Sequence, residues 1–487
     1  MKSMPKARRW QALVLAIVIC LGAIGGAGSA LAATSDLTSI GEGVKYGTLV
    51  KSLAEDKQAV LHYVIADPAQ PWVEIKPVLA GGKLGELANL SGMAREFGAA
   101  AAVNGSFFSR NDNLIPLDTT VIDRQLYVKS EREATALIWG DDRKIKLDQV
   151  IPQVYVKLPA KKMIFTVSTF NRPCSQGIAL YTPLFGSTTG TDENAVEYIC
   201  QPGNGGLTEV TATAAGNAAI PAGGFVVSFQ GEKKSNQEYF AIGDRVGWSV
   251  DYRGYEDVRH LLANGPLLVH QGCSVVPIPG EGLESALWNR NPRTAVGLTK
   301  EGKVLLLTVD GRNSHSVGCT FEELASWLIE LGAQEAMALD GGGSTTMLVE
   351  GKVVNEPSDG TERRINNALL VISQMPVYLN GQRLYFEFSP VIRQGRVLVP
   401  GRQMFETMGA KVTWDEKKRA VLIAKGKTKV ELPLDKKSAV VNGKTVKLEA
   451  EAQIINNRVV VPVRFLSQAL GAKVSWDAQA QSVHVSY

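Results

Sequence analysis

Two apolar runs in this chain, KVLLLTVDGR and EAMALDGGGSTT, each end in an aspartate followed by glycine, at Asp310-Gly311 and Asp340-Gly341. The segment between them has the marks of a helix. Thr320 and Glu323 fit a capping box, Phe321, Leu324, Leu328 and Leu331 form one apolar stripe, and Gly332 is a stop. Strand, helix, strand at this spacing predicts a crossover unit with parallel strands. Both aspartates then leave the sheet at one edge, the carboxyl ends of the strands, where open α/β sheets place their ligands. Gly341, Gly342 and Gly343, ahead of Ser344 and Thr345, let the backbone approach a ligand and can turn successive N–H groups toward an anion. A lone Asp-Gly pair is more often a tight turn capped by its aspartate. Two such ends beside a glycine nest favour a site.

The ends of the chain bound where such a site would work. Lys2, Lys6, Arg8 and Arg9 precede an apolar run at residues 12–24 and a small-x-small sequence at Ala30-Leu31-Ala32, which reads as a cleaved export leader, residues 1–32. An uncleaved anchor is the alternative, but the run is short for a full membrane span. No later segment is apolar and long enough to be a membrane helix. The expected location is secreted, extracellular or associated with a cell wall.

The net charge of +4 is carried by that leader, and the remainder is unevenly divided. From Val377 to Tyr487 there are 18 basic and 9 acidic residues, whereas residues 33–376 carry the acidic excess. Such asymmetry points to an anionic partner for the tail, an anionic cell-wall polymer, or else only to a solvated basic surface. Nucleic acid is not expected, because no module of arginines and aromatics is present. Beyond the leader lie Cys174, Cys200, Cys273 and Cys319. They allow three pairings, of which Cys174 with Cys200 is the closest in sequence. No CxxC or HExxH spacing supports a zinc site.

A chain this long exceeds one comfortable core. The reading divides it into the leader, a domain over residues 33–375 and a smaller one over 376–487, with Pro376 near the boundary. The first reads as strand-rich, with one helix near Leu90 to Phe97, hence a mixed α+β sheet domain rather than a doubly wound one. The second holds an internal repeat. LVPGRQMFETMGAKVTWD matches VVPVRFLSQALGAKVSWD at a constant offset, pairing Pro400 with Pro462, Arg402 with Arg464, Gly409 with Gly471 and Trp414 with Trp476. Each copy predicts strand, short helix, strand, and Asn380-Gly381 and Asn442-Gly443 mark hairpin turns ahead of each. Arg402 and Arg464, on first helical turns, could contact a ligand, but residues there more often pair with a nearby carboxylate.

The stretch from Arg293 to Asn367, including TVDGR, CTFEELASWLIELGAQEAMALDGGGSTT and INNALLV, resembles the phosphodiester glycosidase family. AAVNGSFF at residues 101–108, LYTPLFGSTTGT at 180–191, IPAGGFVVSFQG at 220–231 and ANGPLLVHQG at 263–272 are similar to it in the same order. Two departures touch the substrate pocket. The family's glycine-rich stretch after the NGSFF-like motif reads IPLDTTV, with Leu117 and Asp118, and the usual glycine before the NGP-like motif is Ala263. The tail resembles the stalk domain named from the N-terminal region of copper amine oxidases. With one histidine, His484, and no cysteine there, a structural or wall-associating role is expected, not copper.

The first resemblance implies release of a sugar, an N-acetylhexosamine, from a glycosyl-1-phosphodiester in a surface or extracellular glycopolymer. A phosphate monoester leaves readily, so the needs are a carboxylate to activate water or attack the anomeric carbon, and cationic donors for phosphate. Asp310 and Asp340 are the expected catalytic carboxylates. Arg293, Arg312 and the glycine nest Gly341, Gly342, Gly343 and Ser344 are expected to bind phosphate. Asn104 and Asn367 are expected to bind sugar hydroxyls or a carboxylate behind the site. His315, in the loop after Asp310, is either a general acid or merely exposed. No cofactor is required, although two carboxylates at one edge would accommodate a divalent cation. The rival readings are a non-catalytic surface protein that binds such a glycan, and a hydrolase of phosphate-free glycans.

Overall fold

A short hairpin after an apolar strand commits its two strands to lie side by side and antiparallel, and that rule decides the layout around the aspartates. The computed structural model describes residues 37–109, 113–203, 208–276, 288–393, 395–455 and 458–487. The expected leader lies outside the described residues. The elements that position the site, in chain order, are β1 (Gln58–Ala66), β2 (Ala101–Asn104), β3 (His260–Asn264), β4 (Arg293–Thr299), β5 (Val304–Val309), α1 (Phe321–Glu330), β6 (Ala333–Ala338), β7 (Met347–Val349) and β8 (Asn367–Ser373).

In an eight-stranded antiparallel sheet the local order is β1, β5, β4, β6. β5 and β6 run parallel, as the capped helix predicts, but they are not neighbours. The hairpin at Lys300–Lys303 folds β4 against β5, and α1 carries the chain across β4 to its far side. The amino end of β4 therefore falls at the edge where the aspartates emerge. Arg293 pairs with Val309, and Ala295 with Ala338.

Helix α1 forms because its start is satisfied and its stripe has somewhere to go. The Thr320 side chain accepts from the Glu323 amide, and Glu323 reaches back to the Thr320 amide. Phe321, Leu324 and Leu328 pack with Leu305, Leu307 and Val309 on one face of the sheet. Burying each such side chain contributes roughly 1.5–3 kcal/mol. On the other face, Val64, Val296, Leu306 and Met337 meet Val103, Met347, Leu369 and Val371 of a second sheet, ordered β7, β2, β8 and Val73–Leu79. The site-bearing region is thus helix, sheet, sheet.

Most of the rest is also strand, with few helices. Residues 120–139 and β3 contribute to a five-stranded sheet, and residues 153–251 build another of eight strands that includes one parallel pair, Thr169–Phe170 with Gly177–Tyr181. Among the described residues no helix is long and apolar enough to cross a membrane.

From Val377 onward the strands form three sheets that take no strand from earlier in the chain. Asn380 and Asn442 adopt φ of 51° and 50°, with Gly381 and Gly443 also positive, the geometry of the tight hairpins that Asn-Gly favours. Arg396–Pro400 pairs antiparallel with Arg458–Pro462, so that Val399 faces Val461. This tail is tied back to the first region. Arg383 lies 2.8 Å from Glu74, Tyr385 donates to the same carboxylate, and the Trp72 indole N–H donates to the Gln481 carbonyl at 3.2 Å.

None of the three possible disulfide pairings forms: all four cysteines described are free thiols. Cys200 points into the apolar core of its sheet, where burial pushes its pKa up to about 12, while the Cys174 thiol turns to the Gln176 carbonyl.

Candidate active site

Asp310 follows β5 and is buried. Its Oδ1 accepts from the Asn355 side-chain amide and from the Glu356 backbone amide, both at 3.0 Å. Its Oδ2 lies 3.4 Å from His62 Nε2, and His62 Nδ1 is 2.8 Å from the Tyr46 hydroxyl. Burial, then the charge of Asp310, push the Tyr46 pKa upward. Tyr46, His62 and Asp310 thus form a connected chain of polar groups leading in from the sheet edge.

Asp340, after β6, is only half-buried, and its Oδ1 accepts from the Gly341 amide at 2.9 Å. Its main chain is fixed from both sides. The Asp340 amide donates to the Gly105 carbonyl at 3.0 Å, and its carbonyl accepts from Asn104 Nδ2 at 2.6 Å. Two carboxylates thus occupy one sheet edge in different settings, one enclosed and one half-buried.

The asparagines are braces. Asn104 also accepts from the Thr294 hydroxyl at 2.7 Å and the Thr346 amide at 3.2 Å, so both ends of its amide join β2, β4, the Asp340 turn and the approach to β7. Asn367 accepts from the Ser106 amide at 2.7 Å and donates to the Ser106 hydroxyl, clamping the Asn-Gly-Ser turn. Neither side chain is presented to a sugar. Both are nearly inaccessible, and buried amides are held by partners on both ends. Asn264 and Asn355 do the same work and were not expected. Asn264 joins the Phe107 amide to the Ala338 carbonyl, each at 2.9 Å, and Asn355 joins Asp310 to the Met347 amide. The signal was available in ANGP and VVNEP, where asparagine follows an apolar strand just as Asn104 does.

The glycine stretch also differs from the expectation. Residues Gly342–Ser344 close a single tight turn in which the Gly342, Ser344 and Thr345 amides donate to carbonyls of Pro292, Gly341 and Gly342. With the Gly341 amide on Asp340, these N–H groups are spent within the protein rather than offered as an anion nest. Gly341 is required by crowding and Gly342 by its φ of 60°. A Cβ on Gly341 would lie 2.9 Å from the Pro292 carbonyl, and one on Gly343 would collide with the Arg363 guanidinium.

Cations surround that turn. Arg312, exposed and at φ 63°, places its guanidinium over Gly342, with Asn291 Oδ1 as acceptor at 2.7 Å. Arg363, absent from the sequence reading, covers Gly343, pairs with Asp359 at 2.7 Å and approaches the Ser344 hydroxyl. Arg293 lies deeper, donating to the carbonyls of Cys319 and Asn289 at 3.3 and 2.9 Å with its guanidinium 4.0 Å from the Phe321 ring centroid. Burial lowers its pKa, though an arginine remains charged. His315 is exposed, its backbone amide capped by Asn313. Asp118, in the departure from the family pattern, is buried against Arg132, whose Nε donates to it at 2.9 Å. Among the described residues no group of three or more His, Cys, Asp and Glu side chains is arranged to hold a metal ion. The largest groove described, against Trp414 in the tail, includes neither aspartate. What marks the edge is convergence of charge, not the size of a hollow.

Residues 198–372 match the profile of the phosphodiester glycosidase family, and residues 378–485 match the copper amine oxidase N-terminal domain. Over 104 residues the chain is 34% identical to the N-acetylglucosamine-1-phosphodiester alpha-N-acetylglucosaminidase of Bos taurus, covering 20% of this chain and 19% of that one. Over 82 residues it is 40% identical to the SPbeta prophage-derived uncharacterized protein YomE of Bacillus subtilis (strain 168), covering 17% of this chain and 13% of that one. The aligned segments therefore span less than a fifth of either relative. A solved structure of a hypothetical protein from Synechocystis superposes with a TM-score of 0.61 at 25% identity, over 68% of this chain and 62% of that one. The phosphodiester glycosidase region contains Asp310, Asp340 and all three arginines of the edge.

Proposed function

We propose that the chain is a secreted hydrolase that releases a sugar, an N-acetylhexosamine, from a glycosyl-1-phosphodiester in a cell-surface or extracellular glycopolymer. The observation that carries this reading is the sheet edge where Asp310, Arg293 and Asp340 end three adjacent strands, with Arg312 and Arg363 flanking the glycine turn beside them. The match of residues 198–372 to the phosphodiester glycosidase family model supports it.

In this reading Arg312 and Arg363 hold the phosphodiester by charge-assisted hydrogen bonds. Arg293 fixes the Cys319 and Asn289 carbonyls and adds positive potential from behind. Asp340, the more open carboxylate, faces the anomeric carbon or the attacking water. Water adds to the anomeric carbon, the bond from that carbon to the phosphate oxygen breaks, and the phosphate leaves as a monoester on the aglycone. The proton lost by the attacking water passes to Asp340, while Asp310, backed by His62 and Tyr46, stabilises positive charge developing on the sugar. No step requires a cation. Residues 376–487, with their basic excess and two repeats, act as a stalk that keeps the hydrolase at an anionic wall polymer.

The test is incubation with a panel of hexosamine-1-phosphodiesters, following free sugar and released phosphomonoester separately. Sugar release with the phosphate left on the aglycone is the expected result. Binding without turnover, or turnover of phosphate-free glycans alone, would replace this reading with one of its rivals.

A further inference from the structure

Two grooves in the tail are built from equivalent positions at the repeat offset. One, of about 950 Å3, presents Trp414, Arg402 and Glu387 together with Ile454 and Arg458. The other, of about 350 Å3, presents Trp476, Arg464 and Glu449 together with Ile392 and Arg396. Each takes its tryptophan from one repeat and its opposite wall from the other. The cause is the central strand pair. Leu398 faces Pro462, Val399 faces Val461 and Pro400 faces Val460, a register that maps onto itself when the repeats are exchanged. The central strand pair therefore has a local two-fold that relates the two grooves, although the flanking sheets, of four and five strands, do not match.

Large apolar side chains are exposed at matching places. Trp414 and Trp476 are 37% and 44% exposed, and Ile454 and Ile392 are 51% and 49% exposed. The charges break the symmetry. Glu449 is held by both Arg396 and Arg464, at 2.6 and 3.2 Å, whereas among the described residues Glu387 is held by Arg458 alone, at 2.8 Å. Among the described residues Arg402 has no ion-pair partner, in contrast to the sequence expectation. The Trp414 indole N–H is tied to the Glu416 carboxylate, which fixes the ring and leaves its face available. The Trp414 groove is also extended by Arg95 from the first region.

We infer that the Trp414 groove is a binding site for an acidic glycan whose sugars are joined by phosphodiesters, with a sugar ring against the Trp414 face and a phosphate on Arg402, and that the Trp476 groove is a weaker second subsite. An exposed, rigidly held indole offers a large amphipathic surface at low entropic cost, and a neighbouring unpaired guanidinium matches a phosphate. The 18 basic against 9 acidic residues of the tail supply complementary long-range attraction. The inference does not depend on hydrolysis at the aspartate edge, since binding at Trp414 stands even if that edge cleaves nothing.

The experiment is calorimetric titration of the full chain with a phosphodiester-linked hexose oligomer and, separately, with a phosphate-free oligomer of the same sugars, free sugar being assayed throughout. Trp414→Ala and Arg402→Gln should each weaken binding of the charged oligomer about tenfold, and Trp476→Ala by less. Trp414→Phe, which keeps an aromatic face, should stay within about threefold. The phosphate-free oligomer should bind more weakly and ignore Arg402→Gln. Unchanged affinity in Trp414→Ala, with its melting temperature intact, would overturn the inference. So would a concentration-dependent dimer that Trp414→Ala abolishes, because the groove would then be filled by a second copy of the chain.

Discussion

The aspartate edge and the tail use polar residues in opposite ways. At the edge, Asn104, Asn264, Asn355 and Asn367 are buried or nearly so, and each bridges strands or turns through both ends of its amide. In the tail the main core is an apolar cluster, including Phe386, Met404, Phe405, Val461 and Phe465, and the charged residues lie mostly outside it. Buried polar networks tolerate little loss but fix their members closely, whereas apolar cores accept change gradually. The contrast separates a region built to hold groups in place from one built to fold and display a surface.

The strongest way to break this contrast is at the carboxylates. Asp340→Asn should lower turnover of a glycosyl-1-phosphodiester by several orders of magnitude with little change in melting temperature, because Asp340 is half-buried and Asn preserves its shape. Asp310→Asn should cost both. Its Oδ1 accepts two N–H bonds in the interior, and a misplaced NH2 group there would leave donors facing donors, at about 1–3 kcal/mol. Paired steady-state kinetics and thermal melts decide it; full activity in both variants would remove the site from this edge.

Next comes Asn104→Ala. It strands the Asp340 carbonyl, the Thr294 hydroxyl and the Thr346 amide, so denaturant unfolding should show a loss of about 2–4 kcal/mol, with turnover falling alongside. If turnover falls and stability does not, Asn104 touches substrate after all. Tyr46→Phe should have a smaller effect, visible mainly as a changed pH dependence of kcat with KM preserved, since only the far end of the His62–Asp310 chain is removed.

A milder contrast comes from pH. His260 is buried beside Lys76, Asp123, Arg124 and Arg259, and burial, then the Lys76 charge, lower its pKa to about 3. The unfolded chain binds a proton at His260 near pH 6.5 while the folded one does not. Stability is therefore full above about pH 6.5 and is lost progressively as pH falls toward 3. Melting temperatures measured from pH 7 to pH 4 should fall, and His260→Gln should flatten the part of that fall above pH 5. The smallest effect belongs to the tail. Val399→Ala and Val461→Ala, facing each other across the central strand pair, should cost similar amounts, each about 1–2 kcal/mol, and the double variant should depart from the sum.

What was legible in the sequence was local. The Thr320–Glu323 cap, the Asn-Gly hairpins and the two Asp-Gly strand ends all depend on neighbours in the chain. The insertion of β4 between β5 and β6 depends on a hairpin preceding the helix, and reading the crossover alone missed it. The braces were hidden for the same reason. Asn264 and Asn355 acquire their partners from segments distant in sequence, and Arg363 reaches Gly343 only once the turn is folded. The glycines were noticed, but the acceptors of the Gly341, Gly342, Ser344 and Thr345 amides, within the protein, were not visible from the sequence.

The local two-fold of the tail has one more consequence. Were its halves separate identical chains, every substitution would be made twice and both grooves would change in step. Joined in one chain, equivalent positions are inherited separately, and they have already parted company: Gly401 stands opposite Val463, and Glu416 opposite Ala478. Yet each groove still borrows a wall from the other half, so neither half can be discarded without spoiling both. Fusion has left the two grooves free to specialise and unable to separate.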